Sequence, residues 1–196
     1  MTPGSADADG ATLLDEDDAE GLIPTLVATR AQLNELEAEN IRTGARWAAK
    51  FRPRRDILTE SFLRELHRRM FGTVWEWAGA YRTVNTNIGV HWPTVPAATR
   101  DFCDDVRSWE SAGEWSVQEI AVRLHHRLVQ IHPFPNGNGR HARLLADVYL
   151  RDQTPPLAWT GGGSDAETVR AEYLSALRSA DLGKFGPLLR FCAVKK

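Results

Sequence analysis

Between Ile120 and Arg151 the chain carries two helical patterns interrupted by HPFPNGNG at positions 132–139, and this interruption limits the fold more than any other stretch. Ile120, Leu124, Leu128 and Ile131 recur at helical spacing up to His132, and Leu144, Leu145 and Val148 resume it from Arg140 to Arg151. Two prolines and two glycines between them break one helix and require a turn before the next. Such a loop, running into a helix start, aligns successive N–H groups into a concave nest for an anion, with Gly137 and Gly139 free to take positive φ. Arg140 and Arg143 then stand three residues apart on one face of the new first turn. The helix dipole disfavours cations there by roughly 0.3–1 kcal/mol each, so something anionic is expected to compensate them. The protein's own acids could serve, but His, two Gly, two Asn and two Arg within twelve positions favour a phosphate ligand. His132, with an ordinary pKa near ~6.5, is placed to take a proton from an attacking hydroxyl. Phe134 reads as a core anchor. His125 and His126 read as structural, because no carboxylate or Cys completes a metal-ligand set.

The rest of the 196-residue chain reads as one mainly α domain with one short β-hairpin. Residues 1–20 hold seven of the 26 acids and no Lys or Arg, and are expected to form a disordered tail. The domain then spans residues 21–196 and carries 24 basic against 19 acidic residues. Helix starts are marked by Thr29 with Gln32, Thr59, Pro96, Ser116 with Glu119, and Ser164 with Glu167. Leu33 and Leu36 are expected to face inward on the first helix, which Pro53 ends, and Gly72 and Gly113 close the next two. Tyr81, Thr83 and Val84 are β-formers separated from Ile88, Val90 and Trp92 by Asn85, Thr86 and Asn87, a hairpin pattern. Cys103 and Cys192 lack metal-site spacing and read as buried thiols. No apolar run reaches the ~18 residues of a membrane span, and the acidic start lacks the features of a signal peptide. A cytoplasmic protein without a membrane partner is expected. Residues 42–69 hold nine basic and three acidic residues, but nothing there pairs stacking aromatics with regularly spaced Lys or Arg, so nucleic acid is not the expected partner.

The loop and residues 75–82 (WEWAGAYR), with Asn87, Ile88, Gly89 and Val90, resemble the Fic (filamentation-induced-by-cAMP) family. Its motif is HPF-x-[D/E]-G-N-[G/K]-R-x-x-R, and the pattern looks most like the subgroup called mobile mystery protein B, over roughly residues 21–150. The resemblance implies transfer of AMP from ATP, with Mg2+ or Mn2+, to a Ser, Thr or Tyr hydroxyl of a target protein. His132 would be the general base. The N–H groups of Gly137, Asn138 and Gly139, with the Asn138 amide, would hold the α- and β-phosphates. Arg140 would neutralise the β-phosphate, and Arg143 would hold the γ-phosphate. A flap at Ile88, Gly89 and Val90 would register the target by strand addition. The resemblance also implies a small DNA-binding partner protein, and an inhibitory helix whose Glu39 would pair with Arg143.

Asn136 departs from the motif, which has Asp or Glu there to hold the metal; an amide oxygen is a hard-metal ligand without the charge. The substitution leaves open a different nucleotide, another phosphate-containing donor, or a nucleotide-binding regulatory module without turnover. A metal-dependent nuclease built on the His and Asn cluster is disfavoured by the lack of a nearby acidic metal set.

Overall fold

The computed structural model describes residues 21–23, 29–50, 57–151, 157–159 and 165–193. The expected tail at 1–20, Pro53 and Ser164 lie outside the described residues. Seven α-helices appear among the described residues: α1 (Arg30–Ala48), α2 (Glu60–Phe71), α3 (Val95–Ala112), α4 (Val117–Ile131), α5 (Asn138–Leu150), α6 (Ala166–Asp181) and α7 (Gly186–Cys192). Each expected cap that falls on described residues is present. Thr29 and Gln32 form a reciprocal capping box, Thr59 accepts from the Phe62 N–H at 3.1 Å, and Gly113 closes α3 at φ 66°. Ser116 accepts from the Glu119 N–H, but the Glu119 carboxylate is turned to Arg123 at 2.9 Å, so that box has only one arm. At α6, Asp165 accepts from the Thr168 N–H at 2.9 Å and is the cap, one residue after the expected Ser164.

The main core lies where α1 packs on α2, α3 on α4 and α4 on α5, with Leu66, Met70, Phe102, Leu124, Leu128 and Leu145 fully buried. A smaller core joins Val122 of α4 to α6 and α7. Cys103 belongs to the first and Cys192 to the second, both as free thiols whose pKa burial pushes up to about 12.

The inner face of α1 differs from expectation. Leu33 is buried, but Leu36 is 40% exposed. The buried stripe runs through Leu33, Glu37, Asn40, Gly44 and Ala48, which share one face at helical period. Gly44 sets the approach: a Cβ there would sit 2.8 Å from Met70 Cγ and 3.1 Å from the Met70 backbone nitrogen, so α1 and α2 touch closely at this point. Glu37 is thereby carried inside the fold, where Trp75 Nε1 donates to it at 2.8 Å.

The expected hairpin is an irregular excursion without a β-ladder. Its two arms pair with the turn after α4 instead of with each other: Arg82 N–H donates to the Pro133 carbonyl at 3.0 Å, and Val90 N–H to the Ile131 carbonyl at 3.3 Å. Val84 and Ile88 are 63% and 56% exposed, so their β-propensity finds no facing strand to pack on.

Three imidazoles, His67, His125 and His141, are completely buried, and burial drives each toward neutrality. His67 falls well below the usual value, His141 to about 4 and His125 to about 3. Since their folded values lie below the unfolded one, stability is complete above about pH 6.5 and is lost as pH falls toward the folded values. Asp147 acts with the opposite sign, because burial raises its carboxyl to about 6 and the folded state takes up that proton first. We expect a lower melting temperature at about pH 5 than at about pH 7.5, the loss setting in below about pH 6.5. A melting temperature that holds or rises on acidification is inconsistent with imidazoles held neutral by burial.

Candidate active site

The loop between α4 and α5 is bracketed by two left-handed residues. His132, the C-cap of α4, has φ 53° and ψ 60°, and is the one non-glycine residue at positive φ among those described. Glycine is usual in that position, since a side chain there costs about 1–2 kcal/mol. Gly137, the N-cap of α5, has φ 76°, and a Cβ on it would lie 2.7 Å from two Phe71 ring atoms. Gly139 does not use the positive φ expected of it, for it lies within α5. Its lack of a side chain keeps open the space toward the Tyr173 hydroxyl and Arg143 Nη2, which a Cβ would approach at 3.8 and 3.9 Å.

Three side chains fix the loop from within. Asn138 is 2% exposed; its Oδ1 accepts from the Phe134 N–H at 2.9 Å and its Nδ2 donates to the Phe134 carbonyl at 2.8 Å. Its amide thus holds the loop on both sides of Phe134, and one of its two Nδ2 hydrogens is used in doing so. His67, which the sequence did not single out, accepts from the Gly79 N–H at Nδ1 (3.0 Å) and donates from Nε2 to the Asn136 carbonyl (3.1 Å). It also stacks on Phe134 at 3.7 Å between centroids. Both bonds fit the neutral ring that its burial favours.

Asn136 is exposed, and its Oδ1 accepts from the adjacent Gly137 N–H at 2.6 Å. That oxygen is therefore engaged within the loop, and no group of three or more His, Cys, Asp or Glu that could hold a metal occurs among the described residues. The donor set does not fit a divalent cation held by the protein. What remains is the first turn of α5, whose N-cap supplies no side-chain bond, so the early N–H groups lack the usual intramolecular acceptors. A helix start of this kind is able to accept an anion.

The two arginines there are compensated differently. Arg140 pairs with Glu37 across 103 residues and lies over the Phe71 ring at 4.9 Å. Arg143 donates from Nε to the Gly139 carbonyl at 3.2 Å and lies over Tyr173 at 5.5 Å, with no carboxylate partner among the described residues. Glu39 does not reach Arg143. It is 59% exposed and pairs with Arg42 and Arg46, because two residues along a helix turn it away from the inner face that Glu37 occupies.

The half-buried His132 imidazole faces the Val129 carbonyl with Nδ1 at 3.4 Å. A carbonyl only accepts, so Nδ1 carries the proton and the Nε2 lone pair is free. Burial chiefly, and the Arg82 charge secondarily, hold its pKa below the usual imidazole value. Ile88, Gly89 and Val90 line a cleft of about 610 Å³ with Val129, Leu174 and Leu177. Gly89, on the wall of this cleft, packs against His132, where an added Cβ would meet the His132 Cβ at 2.7 Å.

The sequence profile of the Fic/DOC family matches residues 57–150. The chain carries a Fic/DOC family domain. Its Fic loop and the helices on either side lie inside the matched span. Protein adenylyltransferase fic-1 of Caenorhabditis briggsae is 36% identical over 134 residues, covering 66% of this chain and 25% of the relative. Protein adenylyltransferase Fic of Aedes aegypti is 31% identical over 143 residues, covering 70% and 28%. The chain thus spans about a quarter of the length of these curated relatives. Among solved structures, Fic-1 (residues 134–508) of C. elegans superposes with a TM-score of 0.65 at 28% identity, over 91% of this chain and 54% of that one. A Fic-domain protein of Bacteroides thetaiotaomicron gives 0.60 at 25% identity, over 82% and 65%.

The strained position of His132 in the Fic loop has a measurable consequence. His132→Gly is expected to exceed His132→Ala in stability by about 1 kcal/mol, since only glycine relieves the left-handed backbone. Equal unfolding free energies in urea would contradict a left-handed backbone at this residue.

Proposed function

We propose that this Fic domain transfers AMP from ATP to a hydroxyl side chain of a target protein. The observation that carries the reading is an imidazole with a free Nε2, fixed at the rim of an uncapped helix start. His132 takes the proton of the incoming hydroxyl at Nε2, its oxygen attacks the α-phosphorus, and the bond from that phosphorus to the bridging oxygen breaks, releasing pyrophosphate. The N–H groups at the start of α5 hold phosphate oxygens, and Arg143, which forms no ion pair among the described residues, takes the γ-phosphate. Such chemistry needs positioning and charge neutralisation more than covalent help. The names of the relatives at 31–36% identity support the same reading. No helix among the described residues is long and apolar enough to cross a membrane, and a cytoplasmic site of action is consistent with that. The target carries a Ser, Thr or Tyr hydroxyl, and any cation accompanying the phosphates is held by them and not by Asn136.

A second reading, nucleotide held without turnover, is favoured by one contact: Glu37 occupies Arg140, the arginine assigned to the β-phosphate. In the transferase reading the same contact is a restraint, the role that Glu39 was expected to play.

ATP labelled at the α-phosphate, offered with magnesium or manganese, is expected to label protein, and His132→Ala to abolish the label; label arriving from the γ-phosphate instead would mean phosphorylation. Arg143→Ala should weaken binding of ATP more than of ADP, whereas equal losses in calorimetry contradict its assignment. Glu37→Gln retains an acceptor for Trp75 but removes the negative charge that pairs with Arg140, so ATP affinity and label transfer should both rise above wild type. Unchanged values would reduce Glu37 to a support for α1.

A further inference from the structure

The irregular segment 81–91 and the end of α4 are joined by one buried cation. Arg82 is 2% exposed, and its guanidinium donates to four backbone carbonyls. Nε reaches His132 at 2.6 Å, Nη1 reaches Val84 at 2.8 Å, and Nη2 reaches Ile131 at 3.4 Å and also Val90. No carboxylate pairs with it among the described residues. Ile131 and His132 end α4, where carbonyls lack intrahelical partners and the dipole is negative. Val84 and Val90 lie on the two arms of the flap. Arg82 therefore caps the helix that ends in the left-handed histidine and closes the flap with the same planar group.

We propose that Arg82 is a positioning residue that makes the orientation of the His132 imidazole and the seating of the flap a single conformational unit. This rests on the reading of His132 as the base. The backbone closes the same ring, through the Arg82 N–H to Pro133 at 3.0 Å and the Val90 N–H to Ile131 at 3.3 Å. Gly89 supplies the room: at φ 113°, a Cβ there would lie 2.7 Å from both Arg82 Nη2 and His132 Cβ, and 3.1 Å from the Ile131 carbonyl. A lysine could not replace the arginine fully, since its donors radiate from one nitrogen instead of spreading over a fork.

The test uses the full chain with Arg82→Gln, Arg82→Lys and Gly89→Ala. Amide hydrogen exchange is followed at residues 81–91 and 128–132, the His132 ring resonances are assigned by their loss in His132→Ala, and kcat and nucleotide KM are measured for transfer of α-label to protein. In Arg82→Gln, exchange should rise in both segments together and the His132 resonances should move. Its kcat should fall on the order of a hundredfold, the scale of a misplaced catalytic group, while nucleotide KM stays near wild type. Arg82→Lys should recover only part of each change. Gly89→Ala should loosen the same two segments with Arg82 intact, and it decides the matter if Arg82→Gln does not fold. Exchange rising in the flap alone, with the resonances and kcat unmoved, overturns the proposal. Failure of the transferase reading looks different: wild type would transfer no label, while exchange and resonances would still report whether the two segments move as one.

Discussion

The whole arrangement depends on a helix that ends in a left-handed histidine and a second that begins after a left-handed glycine, five positions later. With both ends of the turn fixed in that way, the residues between have little freedom left. Phe134 is buried and clamped on both sides of its backbone by Asn138, Asn136 is held from below by His67, and Gly137 is pressed against Phe71. The loop therefore answers most of its own polar groups. The groups it leaves open, the first N–H groups of α5 and the Nε2 atom of His132, are those on which the proposed function rests.

Within the site, compensation of charge is uneven, and this unevenness carries more information than the presence of two arginines. Both stand at the end of a helix where a cation is unfavourable. The fold supplies Arg140 with a buried carboxylate from another helix, while Arg143 lies against an aromatic face and a backbone carbonyl and forms no ion pair among the described residues. Asn136 fits the same picture, since an amide can bond to the adjacent N–H and settle into the loop without adding negative charge.

Much of this was legible in the sequence because the signals are local. Capping residues act three positions away, so Thr29, Thr59 and Ser116 marked their helices, and the chemistry of the loop is concentrated in twelve consecutive residues. What could not be read acts across the chain. His67 meets Asn136 over 69 residues, Arg82 meets His132 over 50, and Glu37 meets Arg140 over 103. Glu37 was not singled out beside Glu39, because only packing decides which face of α1 turns inward. On that face, a glycine at position 44 outweighed a leucine at 36. The hairpin failed for a related reason: Thr83, Val84 and Ile88 favour extended backbone, but propensity does not say which acceptors will take its N–H groups, and the end of α4 took them.

The two cysteines acquire a use from where they lie. Cys103 sits in the larger core and Cys192 in the smaller one, and at neutral pH neither is ionised, because burial raises both thiols to about 12. Thiolate is the form that reacts with alkylating reagents, so each sulfur becomes modifiable chiefly when its surroundings open to water. The chain therefore contains two native clocks for breathing motions, one for each packing cluster, and their relative rates of alkylation would tell whether α6 and α7 detach before the helices that carry the loop.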